Sequence, residues 1–288
     1  AAAITAGGSL VTPIIPPGIA LIIYGLVADV SIGKMFIAGL VPGLLCAVVL
    51  MFTVYLVARK TNAKPSRESW PTGKEVVFSL GQAWPALFLI FAVVGGIRAN
   101  IFTPTEAGAV AVLIVLAIGF FIYREMRISH VVKALGETAR ATASVMLVIM
   151  ASAALGWIFS MEHAGVAVAN FVTSLTENKY MFLLIINILL LTLGMFLEGN
   201  AILLILVPLL KPVVEHFGID PVHFGIIMIF NLSIGAFTPP VGTVMLLVCN
   251  ITQVSVGNFF KQSLPLLAAL LLMLMLVTYI PAISLFLV

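Results

Sequence analysis

Two adjacent prolines inside an apolar run constrain this chain more than any other feature. The stretch Gly235-Ala236-Phe237-Thr238-Pro239-Pro240-Val241-Gly242 lies between the apolar segments Phe224–Ile234 and Thr243–Ile251, where a membrane helix is expected. Neither Pro239 nor Pro240 carries an N–H, so a regular helix would leave the carbonyls of Gly235 and Ala236 without donors. Each residue before a proline is also pushed out of the α region. Broken backbone at membrane depth persists only where protein buries it or where it lines a wet cavity. In transporters, freed carbonyls of this kind coordinate cations, and half-helix N-termini face anionic groups. A proline kink that only shapes packing competes with that reading for a single break. The N-terminal segment AAAITAGGSLVTPIIPPG holds a second break, with Pro13, Pro16 and Pro17, and shifts the balance toward transport.

Only 9% of the residues are charged and 62% are hydrophobic, against roughly 25% charged in soluble domains. The mean hydropathy is +1.24, and several apolar runs exceed the roughly 20 residues that span a bilayer. The expected class is therefore an all-α polytopic membrane protein. The net charge of +3 reads as a topology signal, with no nucleic-acid partner. Cys46 and Cys249 sit in apolar runs, and the four histidines (His130, His163, His216, His223) have no ligand spacing. Transition-metal chemistry is not expected. An intramembrane enzyme would need a Ser/Lys, Asp/Asp or His/Glu constellation at depth, which the lone Glu198 does not supply. A channel would call for a charged ring, and none is visible. The chain begins at Ala1 without a signal peptide, and reads as the C-terminal part of a longer protein.

In order, a half-helix Ile19–Val27 follows the first break, then a polar turn at Asp29–Lys34 and a span over Met35–Val57. The basic segment 59–75 is cytoplasmic by the positive-inside rule. Spans over Phe78–Ile97 and Ala107–Tyr123 lead to a second basic segment, 124–140, and a fourth span over Ala141–Met161. Thr103-Pro104-Thr105-Glu106 reads as a helix start, with Thr103 as cap, Pro104 in first position and Glu106 closing a capping box. Residues 163–177 are too short to cross. Tyr180–Leu197 and Ala201–Leu210 flank Glu198-Gly199-Asn200 and read as a re-entrant hairpin, because the second run is too short to span. A last span runs over Phe259–Leu287.

The turn Val30-Ser31-Ile32-Gly33-Lys34-Met35-Phe36 matches Val254-Ser255-Val256-Gly257-Asn258-Phe259-Phe260 without a gap. Each copy follows a proline break and a half-helix, and opens a long span with an early proline, Pro42 or Pro265. Gly8–Pro13 pairs with Gly235–Pro240 at the cost of a three-residue gap, and a register with Pro16-Pro17 on Pro239-Pro240 is also open. Counting crossings between the two turns gives an odd number, so the copies have opposite orientations. Inverted repeats with discontinuous helices mark secondary transporters.

The runs GMFLEGNAILLILVPLLKPVV and GIDPVHFGIIMIFNLSIGAFTPPVG, with PIIPPGIALIIYGLVADVSIGK, IFTPTEAGAVAV and VTYIPAISL, resemble the large membrane subunit of TRAP (tripartite ATP-independent periplasmic) transporters. The similarity covers essentially the whole chain. It implies an inverted-repeat elevator in the bacterial inner membrane. Na+ would be the coupling ion, and no organic cofactor is implied. The implied partners are a small membrane subunit, a periplasmic binding protein and membrane lipid. The cargo would be an organic acid such as sialic acid or a C4-dicarboxylate. The expected segments are 1–34 as a first broken helix of the transport domain and 35–178 as mainly scaffold with interfacial arm helices. Residues 179–253 would hold the outer hairpin and second broken helix, and 254–288 the final span. By the same resemblance, one sodium site uses Gly194, Gly235, Thr238 and Val241, and a second uses Gly8, Val11 and Pro13 with serines outside this chain. Glu198, Asn200 and Arg98 are candidates for the substrate. Asn231, like Asn200, could hydrogen-bond substrate or helix backbone, and packing is the favoured account. A single-component sodium/dicarboxylate symporter or sodium/proton antiporter is the alternative. The absence of titratable residues in the breaks favours sodium over protons.

Overall fold

A computed structural model describes residues 2–61, 72–99, 101–162 and 164–288. Expectations that fall on 62–71, Asn100 and His163 lie outside the described residues. Within them the chain is helical, without strands: α1 (Ala2–Ser9), α2 (Ile19–Ala28), α3 (Ile32–Lys60), α4 (Gly73–Arg98), α5 (Pro104–Ala117), α6 (Ile128–Met161) and α7 (Ala164–Leu175) are followed by α8 (Lys179–Phe196), α9 (Gly199–His216), α10 (Pro221–Phe237), α11 (Thr243–Thr252), α12 (Val256–Tyr279) and α13 (Ala282–Leu285). Six of the described helices are long and apolar enough to cross a membrane, or seven if α4 counts as one span bent by 54° near Pro85. The protein is polytopic, as its composition requires.

Two compact units make up the chain, residues 1–60 with 148–288, and residues 61–147. The first is built around α10, which touches α2, α3, α8, α9, α11, α12 and α13. Every residue from Val222 to Gly235 is buried, so this helix has no water-facing side to keep polar. Asp220 caps it, accepting from Val222 N at 2.8 Å and His223 N at 3.1 Å, and Pro221 fills the first position, where its missing N–H costs nothing. The Tyr24 ring lies on Gly225, where a Cβ would meet the ring edge, and its hydroxyl donates to Pro221 O at 2.7 Å. That bond ties the first broken helix to the start of the second.

Those two broken helices have matching halves. The second halves, α2 and α11, are ten residues each and end in a left-handed residue, Asp29 at φ 59° and Gln253 at φ 55°. Each leads through a short turn into a long helix that holds a proline, Pro42 in α3 and Pro265 in α12. The first halves differ. The connecting segment is residues 10–18 after α1 but only 238–242 after α10, and each contains a cis Pro-Pro bond, Pro16-Pro17 and Pro239-Pro240.

The second unit holds α4, α5 and the start of α6. At the head of α5, Glu106 accepts from Thr103 N at 2.7 Å while Thr103 Oγ1 accepts from Glu106 N at 3.4 Å, so the capping box at Thr103–Glu106 stands as read from sequence. An equivalent box, Thr72 with Glu75, starts α4. α5 runs on as a π-turn over Ile118–Ile122.

Three boundaries differ from the sequence reading. α6 starts at Ile128 rather than Ala141, because the basic segment itself forms helix. Its 34 residues would measure about 50 Å, more than an upright crossing needs. α9 reaches His216 through Pro208 and Pro212 rather than stopping at Leu210, and its 18 residues are long and apolar enough to cross, so the shortness that suggested a re-entrant hairpin does not hold. α12 ends at Tyr279, short of Leu287, since Pro281 cannot donate to Val277.

Candidate functional site

Side chains of opposite ends of the sequence meet in the first unit. Pro13 and Ala20 of the first broken helix, Glu198, Gly199, Asn200 and Leu203 of the α8–α9 turn, and Ile229, Leu232, Ser233, Ala236, Thr243 and Val244 around the second break line one depression. Its volume is about 570 Å³ including the open mouth.

Beside it, the C-terminal ends of α8 and α10 touch through backbone. A Cβ on Gly235 would stand 2.6 Å from the carbonyl carbon of Gly194 and 2.7 Å from its Cα; one on Gly194 would stand 3.2 Å from Gly235 Cα. Only hydrogen fits at Gly235, and a methyl at Gly194 would be tight. The far end of the break is pinned to the same spot, because Gly242 N donates to Met195 O at 3.0 Å. Gly242 has φ 46°, and a Cβ there would press on Thr238 O at 2.7 Å and Ala236 O at 3.2 Å. Gly194, Gly235 and Thr238 are thereby brought together, with Val241 half-buried next to them.

The hydrogen-bond ledger at this break departs from the simple proline argument. Gly235 O is not left bare: the last turn tightens, and Thr238 N donates to it at 2.9 Å. One lone pair of Gly235 O remains. Among the described residues, no backbone N–H is placed on the carbonyls of Ala236, Phe237 or Thr238. Thr238 is buried and its hydroxyl donates to Ile234 O at 2.7 Å. That bond parks the proton on the helix, so the hydroxyl serves its own backbone while its oxygen keeps its lone pairs.

The first break behaves similarly. Val11 N donates to Gly8 O at 3.3 Å, and Val11 O accepts from both Ile14 N at 3.1 Å and Ile15 N at 3.0 Å. Thr12 N serves Ser9 O at 3.2 Å, the carbonyl that Pro13 would deprive in a regular helix. Pro13 O has no backbone donor among the described residues and faces Gly18 Cα. Of the three carbonyls Gly8, Val11 and Pro13, the last is thus the least engaged.

Glu198 caps α9: one carboxylate oxygen accepts from Ala201 N at 3.0 Å, the other from Asn200 Nδ2 at 2.7 Å. Both residues face the depression. Glu198→Ala is expected to lower the thermal midpoint of the detergent-solubilised protein, equivalent to a cap loss of about 0.5–2 kcal/mol. An unchanged midpoint would contradict the capping role. Arg98, the last residue of α4, is exposed and belongs to the other unit.

Sequence reasoning passed over a buried polar chain behind α10. Asn231 donates to its own helix at Ile227 O (2.8 Å), as expected, but also to Asn187 Oδ1 at 2.7 Å. Asn187 Nδ2 in turn donates to Thr278 Oγ1 at 3.0 Å. His223 lies between Thr278 O and Ser284 Oγ, at 3.3 Å and 2.6 Å. The signal was present as lone polar residues inside apolar runs, which in membranes seek partners on neighbouring helices. Their pairing across the sequence was not readable.

The sequence model of the family described as "Tripartite ATP-independent periplasmic transporter, DctM component" matches residues 1–283. The C4-dicarboxylate TRAP transporter large permease protein DctM of Pseudomonas aeruginosa is 41% identical over 94% of this chain and 63% of its own length. The sialic acid TRAP transporter large permease protein SiaM of Vibrio cholerae is 39% identical over 100% of this chain and 67% of its own. The isethionate TRAP transporter permease protein DctMQ of Oleidesulfovibrio alaskensis is 38% identical over 99% of this chain and 45% of its own length. The chain therefore spans about two thirds, or less, of these relatives. With the match running from the first break to the last helix, the chain belongs to the DctM component family of tripartite ATP-independent periplasmic transporters.

Proposed function

We propose that this chain is the larger part of the membrane subunit that carries an organic acid inward, driven by a sodium gradient. The observation that carries the reading is the convergence of both proline breaks and the α8–α9 turn on one depression. Gly194, Gly235, Thr238 and Val241 form one sodium site: carbonyl and hydroxyl oxygens released by a broken helix, with no carboxylate to titrate. Pro13, with Gly8 and Val11, contributes to a second site that segments outside this chain complete. The cargo is a carboxylate, such as sialic acid or a C4-dicarboxylate, in line with the names of the relatives. Glu198 and Asn200 form the rim of the depression toward it, and exposed Arg98 meets either the cargo or the delivering protein.

Orientation follows from the repeat. The matched halves α2 and α11 support an inverted pair, with residues 1–34 and 179–253 in the transport domain and α8–α9 as its outer hairpin. The two broken helices and the α8–α9 hairpin move as an elevator, with much of 35–178 as scaffold and 254–288 as the final span. A small membrane subunit and a periplasmic binding protein complete the assembly in the inner membrane of a bacterium, in contact with lipid.

Full-length transporter with its partner proteins, reconstituted in liposomes, is expected to accumulate the acid only under an inward sodium gradient. Uptake of equal rate when choline replaces sodium, with or without a proton gradient, would overturn sodium coupling.

A further inference from the structure

α10 turns one face to the depression, through Ile229, Leu232, Ser233 and Ala236. By helical periodicity Asn231 points the opposite way. It lies one turn below Gly235, and Asn187 lies two turns before Gly194, so the pair sits on the same α8–α10 seam as the glycine contact. Both side chains are 0% exposed. Asn231 Nδ2 reaches Asn187 Oδ1 at 2.7 Å and Ile227 O at 2.8 Å, and Asn187 Nδ2 reaches Thr278 Oγ1 on α12 at 3.0 Å. Turning the Asn231 amide over would set its oxygen against two acceptors, so the neighbours determine its direction. In that direction Asn231 Oδ1 is buried without a hydrogen-bond partner among the described residues.

A buried acceptor without a donor destabilises, and two apolar residues of similar shape would fill the seam without that loss. Stability therefore does not account for asparagine at position 231. A buried asparagine pair does discriminate between registers, because sliding the helices leaves both amides unpaired. We propose that Asn187 and Asn231 are a register clasp that holds α8 against α10, with Thr278 anchoring it to α12. The clasp sets the meeting of Gly194 with Gly235, and through it the oxygen geometry of the sodium site. Neither asparagine touches the ion; both are positioning residues. The inference rests on the sodium reading of that site.

The test is binding of radiolabelled sodium to the purified full-length transporter, with thermal midpoints measured in sodium-free buffer. Asn187→Leu/Asn231→Leu is the main variant, because replacing both partners preserves packing; Thr278→Val, which loosens only the outer anchor, is the second. The double variant is expected to keep its sodium-free midpoint and to bind sodium about tenfold more weakly, a size typical of coupled networks. Thr278→Val is expected to show a smaller shift in the same direction. Wild-type sodium affinity in both variants overturns the clasp while leaving the sodium site standing. A loss of midpoint without a change in sodium affinity among folded molecules overturns it as well, since it reports packing alone. Wild-type protein that binds no sodium overturns the sodium reading, and this inference with it.

Discussion

Gly235→Ala is expected to abolish sodium-driven uptake by the full transporter and to destabilise it by about 1–3 kcal/mol, as overpacked interiors do. The added methyl would stand 2.6 Å from the Gly194 carbonyl carbon and 2.7 Å from its Cα. Both are backbone atoms, so no rotamer change can relieve the clash. α8 and α10 must part at the point where Gly242 N holds Met195 O at 3.0 Å. That displaces the carbonyls of the break together with the cap they surround. Gly257→Ala is the matched control, because nothing lies within 4 Å of its Cβ position. It is expected to leave uptake intact and to be neutral or slightly stabilising, as alanine is in helices. Wild-type uptake and midpoint for Gly235→Ala would remove the tight glycine seam from the mechanism.

The second large effect is expected at Thr238. Valine keeps the branched shape and loses only the oxygen, so Thr238→Val isolates the ligand from the packing. Removing the hydroxyl forfeits its 2.7 Å bond to Ile234 O, a net loss of about 1 kcal/mol in stability. Losing an oxygen from an ion's shell costs more, on the order of 1.5–3 kcal/mol for a bond to a charged group, or roughly a 10- to 150-fold weaker half-saturation by sodium. The half-saturating acid concentration at saturating sodium is expected to stay near the wild-type value. Thr238→Ser, which retains the oxygen, should recover most of the affinity. If Thr238→Val takes up acid with wild-type sodium dependence, the hydroxyl serves its own helix and nothing else.

Much of the fold was legible because membrane helices announce themselves locally. A run of apolar residues is enough to place α3, α8 and the body of α12, and a Thr-Pro-x-Glu sequence is enough to start α5. Where the reading slipped, the cause was again physical. Hydropathy marks where lipid can be tolerated, whereas a helix continues as long as its backbone bonds close. α6 therefore begins in charged residues at Ile128, and α9 passes through Pro208 and Pro212 to His216. The candidate site was legible only in part. Proline says which donors are missing, but not which other N–H groups take their place. Thr238 N turns back onto Gly235 O, and two N–H groups converge on Val11 O. The purpose of Glu198 as the cap of α9 was likewise hidden, since its partners lie on a turn whose geometry the residues alone do not specify.

Taken alone, the sequence determined the membrane class, the two proline breaks, the matched Val-Ser-x-Gly turns and a family resemblance that the comparisons upheld. These are properties of short segments, governed by hydropathy, by the missing proline N–H and by residue identity. Only the tertiary structure decided which segments meet. It set Gly194 against Gly235 at a distance no side chain permits, brought Pro13 to the same depression as Asn200 and Thr243, and joined Asn187, Asn231 and Thr278 across three helices. Such contacts join residues dozens to hundreds of positions apart. In lipid they follow from close backbone packing and buried hydrogen bonds, neither of which leaves a periodic trace along the chain.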